Sequence, residues 1–131
     1  MLVLFQGYNG DTHGQELIEY NDAVINFFGV NKKIIISHPH YKNNLTLELL
    51  QETESLLLKK YGVQYFNLRK YLVEEGLNDA GITPTETDIE YINVGKVPPS
   101  LLLSDGQHFN LLGNTVIANR IYQIGKVLNY W

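Results

Sequence analysis

Three short apolar runs, separated by helical patterns, constrain the fold of this chain more strongly than any other feature. The middle run contains three consecutive isoleucines, and Pro39 closes it because proline cannot extend a β-ladder. Unbroken apolar runs of this length are typical of strands that are buried on both faces, as in a parallel sheet. We therefore predict three strands, which cover Leu2–Phe5, residues 33–37 and residues 63–68.

Amphipathic helical patterns occupy the segments between these runs. Residues 15–28 carry apolar side chains every three or four positions, and Gly29 stands where a left-handed C-cap belongs. Residues 45–61 form a second such pattern, which ends in two lysines and Gly62. The order strand, helix, strand, helix, strand predicts an α/β fold with a parallel sheet and right-handed crossovers.

The second half of the chain is less regular. Residues 69–76 continue as a predicted short helix, and residues 77–100 form an insertion over the sheet with one or two helical turns near residues 85–94. A closing helix is predicted over residues 110–128. The 131 residues, 44% of them hydrophobic, suffice for one core, so we predict a single domain over residues 1–131.

Charge and composition exclude several classes of protein. The net charge is −4, and the basic residues are scattered, with Lys32-Lys33 and Lys59-Lys60 as the only adjacent lysine pairs. This pattern argues against a nucleic-acid-binding footprint and against a polybasic membrane anchor. The chain has no cysteine, which excludes disulfides and thiolate metal sites, and no apolar run approaches the roughly 20 residues of a membrane span.

The start of the chain carries its own expectations. Met1 is followed at once by the first apolar run and by Gly-Tyr-Asn-Gly, so we predict no signal peptide. A chain that starts within a strand also predicts that part of the fold precedes Met1. The sequence defines no compartment.

An aspartate and a histidine share one polar turn near the end of the chain. Asp105 and His108 lie three residues apart, with Gly106 between them to let the backbone curl, and Asn110 is placed to cap the following helix. A carboxylate that accepts the Nδ1 proton of a histidine fixes its tautomer for proton transfer at Nε2. The alternative interpretation is an Asp-Gly turn beside a surface histidine, because Asp-x-x-His is a common spacing.

Other polar residues are predicted to gather at the same edge of the sheet. Ligands of parallel α/β sheets bind beyond the carboxyl ends of the strands, where Asn9 follows the first run, His38 follows the second and Asn67 ends the third. A side-chain amide such as that of Asn9 could donate to a developing oxyanion. Ordinary turn chemistry is the alternative for Asn9, because an asparagine between two glycines is itself a turn signal.

Two motifs in order resemble the SGNH, or GDSL-type, serine esterase and lipase family. They are Gly7-Tyr8-Asn9 after an apolar strand, and Ser104-Asp105-Gly106-Gln107-His108-Phe109-Asn110 before the closing helix. The resemblance implies a flavodoxin-like, three-layer α/β/α fold. It also implies His108 as general base, Asp105 as its orienting carboxylate and Asn9 as an oxyanion-hole donor. Gly7, Tyr8 and His38 are the implied substrate-binding residues.

The chain departs from that family pattern at two places. The family's Gly-x-Asn is usually followed by Asp, whereas Gly10 precedes Asp11 here. The family's Gly-Asp-Ser block, with the nucleophile, and its oxyanion glycine would lie upstream of Met1. The resemblance therefore implies the C-terminal part of a hydrolase of bacteria or their phages, acting on small-molecule or carbohydrate acyl esters, that is inactive without a complementing N-terminal fragment.

Three alternatives remain open at this level. Ser37 ends the second run and could replace the nucleophile, although no glycine elbow surrounds it. His38 and His40 could begin a metal site with His13 or Asp11, but Pro39 interrupts their strand, and we predict no metal and no cofactor.

The third alternative is a non-catalytic binding or assembly module. The strand Leu2–Phe5 would then be an open, apolar edge that pairs with a second copy, which predicts a homo-oligomer.

Overall fold

A three-stranded parallel sheet, in which the strands lie side by side in sequence order, is at the centre of the domain. The computed structural model describes residues 1–6, 12–37 and 46–131. Leu2 lies opposite Lys33, and Ile35 lies opposite Tyr65. The predicted parallel α/β arrangement is confirmed. The strands are β1 (Leu2–Phe5), β2 (Lys33–Ile36) and β3 (Tyr65–Phe66).

The helices follow the predicted order. Gly29 ends the first helix in the left-handed conformation, with φ of 60°. Thr46 caps the second helix by accepting a hydrogen bond from the backbone N–H of Leu49. The helices are α1 (Gly14–Phe28), α2 (Leu47–Tyr61), α3 (Leu68–Glu74), α4 (Gly76–Asp79), α5 (Glu86–Asn93) and α6 (Leu111–Val127), with 3₁₀ turns at Gly62–Gln64 and Pro99–Leu101.

Helices pack on both faces of the sheet, because successive side chains of a strand point to opposite faces. Ile35 packs in a cluster with residues of α1 and α2, including Leu17 and Leu57. Ile34 and Ile36 belong to the other cluster, which includes residues of α3, α4 and α6. This arrangement is compatible with a three-layer α/β fold. None of the described helices has the length and apolar character needed to cross a membrane.

Two strand predictions were wrong in part. β1 was expected to be buried on both faces, but only Leu4 is buried, while Val3 is 41% exposed and Phe5 is 48% exposed. The reason is that β1 lies at the edge of the sheet. β3 is shorter than predicted because Asn67 leaves the strand and caps α3, where its side chain accepts from the backbone N–H of Lys70.

Candidate functional site

The turn that carries Asp105 and His108 is closed by backbone hydrogen bonds. The N–H of Leu103 donates to the carbonyl of His108 at 2.7 Å, and the N–H of Gly106 donates to the carbonyl of Leu103 at 2.9 Å. Gly106 has φ of 68°, a conformation that favours glycine. The turn lies outside the central sheet, since Pro99–Leu101 just before it form a 3₁₀ turn, and Leu102 pairs with Phe109 in an isolated antiparallel bridge.

Asp105 and His108 contact each other directly. The Oδ2 atom of Asp105 lies 2.7 Å from the Nδ1 atom of His108. The other carboxylate oxygen, Oδ1, accepts the backbone N–H groups of Gln107 at 2.9 Å and of His108 at 3.0 Å. The backbone N–H of His108, then its side chain, hold the pKa of the Asp105 carboxyl well below its usual range. An ionised carboxylate accepts the Nδ1 proton, which leaves Nε2 of a neutral imidazole free to accept another.

Both side chains are open to solvent. The His108 side chain is 73% exposed and the Asp105 side chain is 46% exposed. A hydroxyl group brought from outside the turn could therefore approach the imidazole. The same exposure means that this pair adds little to the stability of the fold.

Asn110 ties the two sides of this turn together. Its Nδ2 group donates to the carbonyl oxygens of Ser100 at 2.8 Å and Leu102 at 3.2 Å. Its Oδ1 atom accepts the backbone N–H of Gly113 at 2.9 Å, which confirms the predicted cap of α6. One side chain thus fixes both the approach to the turn and the start of the helix that follows.

Asp88 holds the segment before this turn through hydrogen bonds with Ser100, and the sequence analysis did not identify it. The residue is fully buried, with 0% exposure. Its Oδ2 atom accepts hydrogen bonds from the N–H and the hydroxyl of Thr85, and both of its carboxylate oxygens accept hydrogen bonds from Ser100. Thr85-x-x-Asp88 is a capping box, and that spacing was the signal available in the sequence.

The balance of forces keeps the Asp88 carboxyl ionised. Burial raises its pKa, but the hydrogen bonds from Ser100 and Thr85 outweigh burial and leave the pKa lowered. A series of contacts therefore runs from Asp88 through Ser100 to Asn110, two residues from His108.

Ser37 does not fit the alternative role of nucleophile. It is buried, and its hydroxyl accepts a hydrogen bond from the phenol of Tyr65 at 2.8 Å. Burial raises the pKa of Tyr65, which keeps that phenol protonated as the donor. Within the described parts of the chain, no hydrogen bond joins Ser37 to His108.

Several predicted site residues lie outside the described residues. They are Gly7, Tyr8, Asn9 and His38, together with Asp11 and His40 of the metal alternative. Their roles stay predictions. Among residues 1–6, 12–37 and 46–131, no group of three or more histidine, aspartate or glutamate side chains is arranged to hold a metal ion.

The fold and the site define an α/β domain with an exposed histidine that is oriented by a neighbouring carboxylate. Comparisons with protein-family models, with curated proteins and with solved structures find no match to this chain.

Proposed function

We propose that this chain supplies the general base and its orienting carboxylate to a serine ester hydrolase of the SGNH, or GDSL, type, with a flavodoxin-like, three-layer α/β/α fold. The observation that carries the proposal is the 2.7 Å contact between Asp105 Oδ2 and His108 Nδ1. Asp105 forms a hydrogen bond with Nδ1 of His108, and because the ring is exposed, its Nε2 atom stays accessible.

The chemistry follows from this geometry. Nε2 of His108 accepts the proton of a serine hydroxyl as that oxygen attacks the ester carbonyl, and Asp105 stabilises the imidazolium that forms. The same imidazolium then donates its proton to the departing alcohol. Asn9 donates to the oxyanion of the tetrahedral intermediate in this proposal, and Gly7, Tyr8 and His38 contact the acyl ester.

The nucleophile in this proposal comes from outside residues 1–131. The chain has four serines, of which Ser37 contacts Tyr65, Ser55 donates to the carbonyl of Gln51, and Ser100 donates to Asp88. Ser104, the fourth, lies in the turn itself, and within the described residues no hydrogen bond joins it to His108. We therefore expect the chain to be inactive alone and to become active with a complementing fragment that carries a Gly-Asp-Ser block.

Hydrolysis of p-nitrophenyl acetate by the chain, alone and mixed with a fragment that carries a Gly-Asp-Ser block, tests this proposal. We expect activity only in the mixture, a loss of about 10³-fold or more in His108→Ala, and no loss in Ser37→Ala. Activity of the lone chain that Ser37→Ala abolishes, or full activity of His108→Ala in the mixture, would overturn the assignment.

The exposed edge of the sheet favours a second candidate function, that of a non-catalytic assembly module. β1 is an edge strand, and its Val3 and Phe5 are about half exposed. An edge strand of this kind is a template for pairing, here with β1 of a second copy. Sedimentation should show a dimer that Val3→Lys converts to a monomer, and a stable wild-type monomer at high concentration would contradict this function.

A further inference from the structure

Three separate segments meet at the amino ends of the strands. They are the connection from α1 to β2, the turn Gly62–Gln64, and the residues after α6. The Nε2 group of Gln64 donates to the carbonyl of Asn31 at 3.1 Å and to the phenol of Tyr130 at 2.6 Å. Lys32 Nζ also donates to the carbonyl of Asn129 at 3.3 Å. These contacts place the ends of α1, α2 and α6 on one surface.

The fold concentrates basic residues on this surface, which we call the basic pole. Both adjacent lysine pairs of the sequence lie there, although they are far apart along the chain. None of the fourteen acidic residues lies within residues 25–33, 58–64 or 124–131, which build the pole. Glu74 and Glu75 line one hollow with Val63 and Val127, and they are paired there with Lys70 and Arg120 respectively. Asp22 lies just before the first of these segments and pairs with Lys60 at 2.7 Å. The basic pole contains Lys32, Lys33, Lys59, Lys60 and Lys126.

Large apolar side chains stand exposed among these lysines. Phe27 is 85% exposed and packs edge to face against Phe28, which is 59% exposed. Val63 is 78% exposed and Val127 is 81% exposed. Apolar side chains grouped on a charged surface are typical of a site that contacts another molecule.

Helix stability explains only part of this surface. Lys59 and Lys60 lie in the last turn of α2, and Lys126 lies in the last turn of α6, where cations favour the negative end of the helix dipole. That effect does not require Phe27 or Val127 to be exposed. A partner that binds both cationic and apolar side chains would explain the lysines and the exposed apolar residues of the basic pole together.

We propose that the basic pole docks onto an anionic lipid membrane surface, with its lysines at the headgroups and Phe27, Val63 and Val127 in the interfacial layer. Lysines around exposed aromatic and aliphatic side chains suit the boundary between headgroups and acyl chains. Lysines also bind nucleic-acid phosphates, but the exposed valines among them favour the interfacial layer of a membrane, where aliphatic side chains are buried.

Docking in this orientation leaves the turn of His108 facing away from the lipid. α6 has 17 residues, which corresponds to a length of about 25 Å. The basic pole lies at the end of α6, and His108 lies just before its start. The inference is therefore independent of the proposed hydrolase function.

Co-sedimentation with vesicles tests the proposal on the full chain. We expect binding to vesicles of phosphatidylcholine with phosphatidylserine, little binding to phosphatidylcholine alone, and loss of binding at high salt. Trp131, the only tryptophan, lies at this pole and is 49% exposed, so its emission should shift to the blue on binding.

Matched variants at the two ends of the domain distinguish binding through the basic pole from non-specific binding to vesicles. Lys126→Gln should weaken vesicle binding about fivefold, whereas Lys96→Gln should not, although each lysine lies over a tyrosine ring at 5.7 and 5.9 Å. Val127→Ala should also weaken binding, whereas Leu111→Ala should not, although both side chains are 81% exposed and lie at opposite ends of α6.

Three outcomes would overturn the proposal. They are no binding to anionic vesicles, equal binding by the two members of each matched pair, and binding of a labelled single-stranded oligonucleotide through Lys126 without vesicle binding. The circular dichroism of each variant should match that of the wild type, since all four substituted side chains are exposed.

Discussion

Asp88 and Ser100 are joined by two hydrogen bonds, one from the backbone N–H of Ser100 to Oδ1 at 2.9 Å and one from its hydroxyl to Oδ2 at 2.7 Å. The carbonyl of Ser100 in turn accepts from Asn110, whose backbone N–H donates to Leu101. The start of α5 is thus connected to the turn that holds His108. The buried carboxylate stabilises a segment that has no partner in the sheet.

Replacement of Asp88 should therefore affect both the stability of the fold and the turn of His108. Asp88→Asn replaces an acceptor oxygen by an amide that faces donors, and we expect it to lower the free energy of unfolding by about 2–4 kcal/mol. Ser100→Ala, which removes one hydroxyl donor to the ionised carboxylate, should cost about 1.5–3 kcal/mol. Thermal melts measure the cost, and the ring nitrogen resonances of His108 should move in Asp88→Asn. Unchanged resonances would show that Asp88 has no influence on the turn.

The pH dependence of this carboxylate has a defined sign. Because the pKa of Asp88 is lowered on folding, its contribution to stability is present above its usual pKa and is lost as the pH falls through the lowered value. Wild-type stability should thus fall more steeply on acidification than that of Asp88→Asn, as measured by urea unfolding between neutral pH and pH values below the usual carboxyl range.

Asp105 should titrate well below an ordinary aspartate. Hydrogen bonds from the backbone and the side chain of His108 lower its pKa, so the carboxylate stays ionised where a free aspartate would be protonated. Carbon-13 resonances of the carboxyl group measure this directly. In His108→Ala the backbone donors remain, so we expect the pKa to rise but to stay below its usual range. A wild-type midpoint in the usual range would contradict the geometry of the turn.

The buried ion pair between α2 and α3 should respond differently to single and double replacement. Arg69 donates from Nε and Nη2 to the two carboxylate oxygens of Glu54, at 2.5 and 2.7 Å, and from Nη1 to the carbonyl of Gly95. Glu54→Gln leaves a buried guanidinium without its counter-charge and should cost about 3–5 kcal/mol. The double variant Glu54→Leu with Arg69→Met should recover much of that loss.

An exposed pair provides the control for this experiment. Lys70 and Glu74 lie 4.0 Å apart, and both side chains are more than half exposed. Lys70→Ala should change the free energy of unfolding by less than about 1 kcal/mol. Urea unfolding measures the free energy of unfolding of the three variants. Equal losses in Glu54→Gln and Lys70→Ala would show that burial does not determine how much an ion pair contributes to stability.

The features that the sequence predicted well are those set by residues close along the chain. Gly29 ends α1, Asn110 caps α6, and Asp105 reaches His108 across a three-residue spacing. Each of these depends on local backbone geometry and a side chain within about one turn.

The features that were missed depend on contacts between distant segments. The link between Asp88 and Ser100 spans twelve residues, and the basic pole joins lysines of three separate segments. The exposure of Val3 and Phe5 depends on what covers the edge of a sheet, which an apolar pattern alone does not specify. Scattered charges along a sequence thus became one surface only in the fold.

Two glycines of α6 should differ sharply when replaced by alanine. A Cβ atom at Gly113 would meet the backbone carbonyl oxygen of Leu101 and the ring of Phe109, both at the base of the His108 turn. The backbone cannot move aside without breaking the hydrogen bond from Asn110 to that carbonyl. At Gly125 the three atoms nearest to the added Cβ all belong to the ring of Trp131, which lies stacked on Tyr122 near the protein surface.

We therefore expect Gly113→Ala to destabilise the fold by about 1–3 kcal/mol and to shift the ring resonances of His108. Gly125→Ala should displace Trp131, change its fluorescence and leave His108 unaffected, with a cost that the gain in helix propensity of up to about 1 kcal/mol partly offsets. Thermal melts and histidine spectra of both variants measure the difference. A Gly113→Ala protein with wild-type stability and wild-type His108 resonances would mean that close packing of α6 against Leu101 does not hold the turn in place.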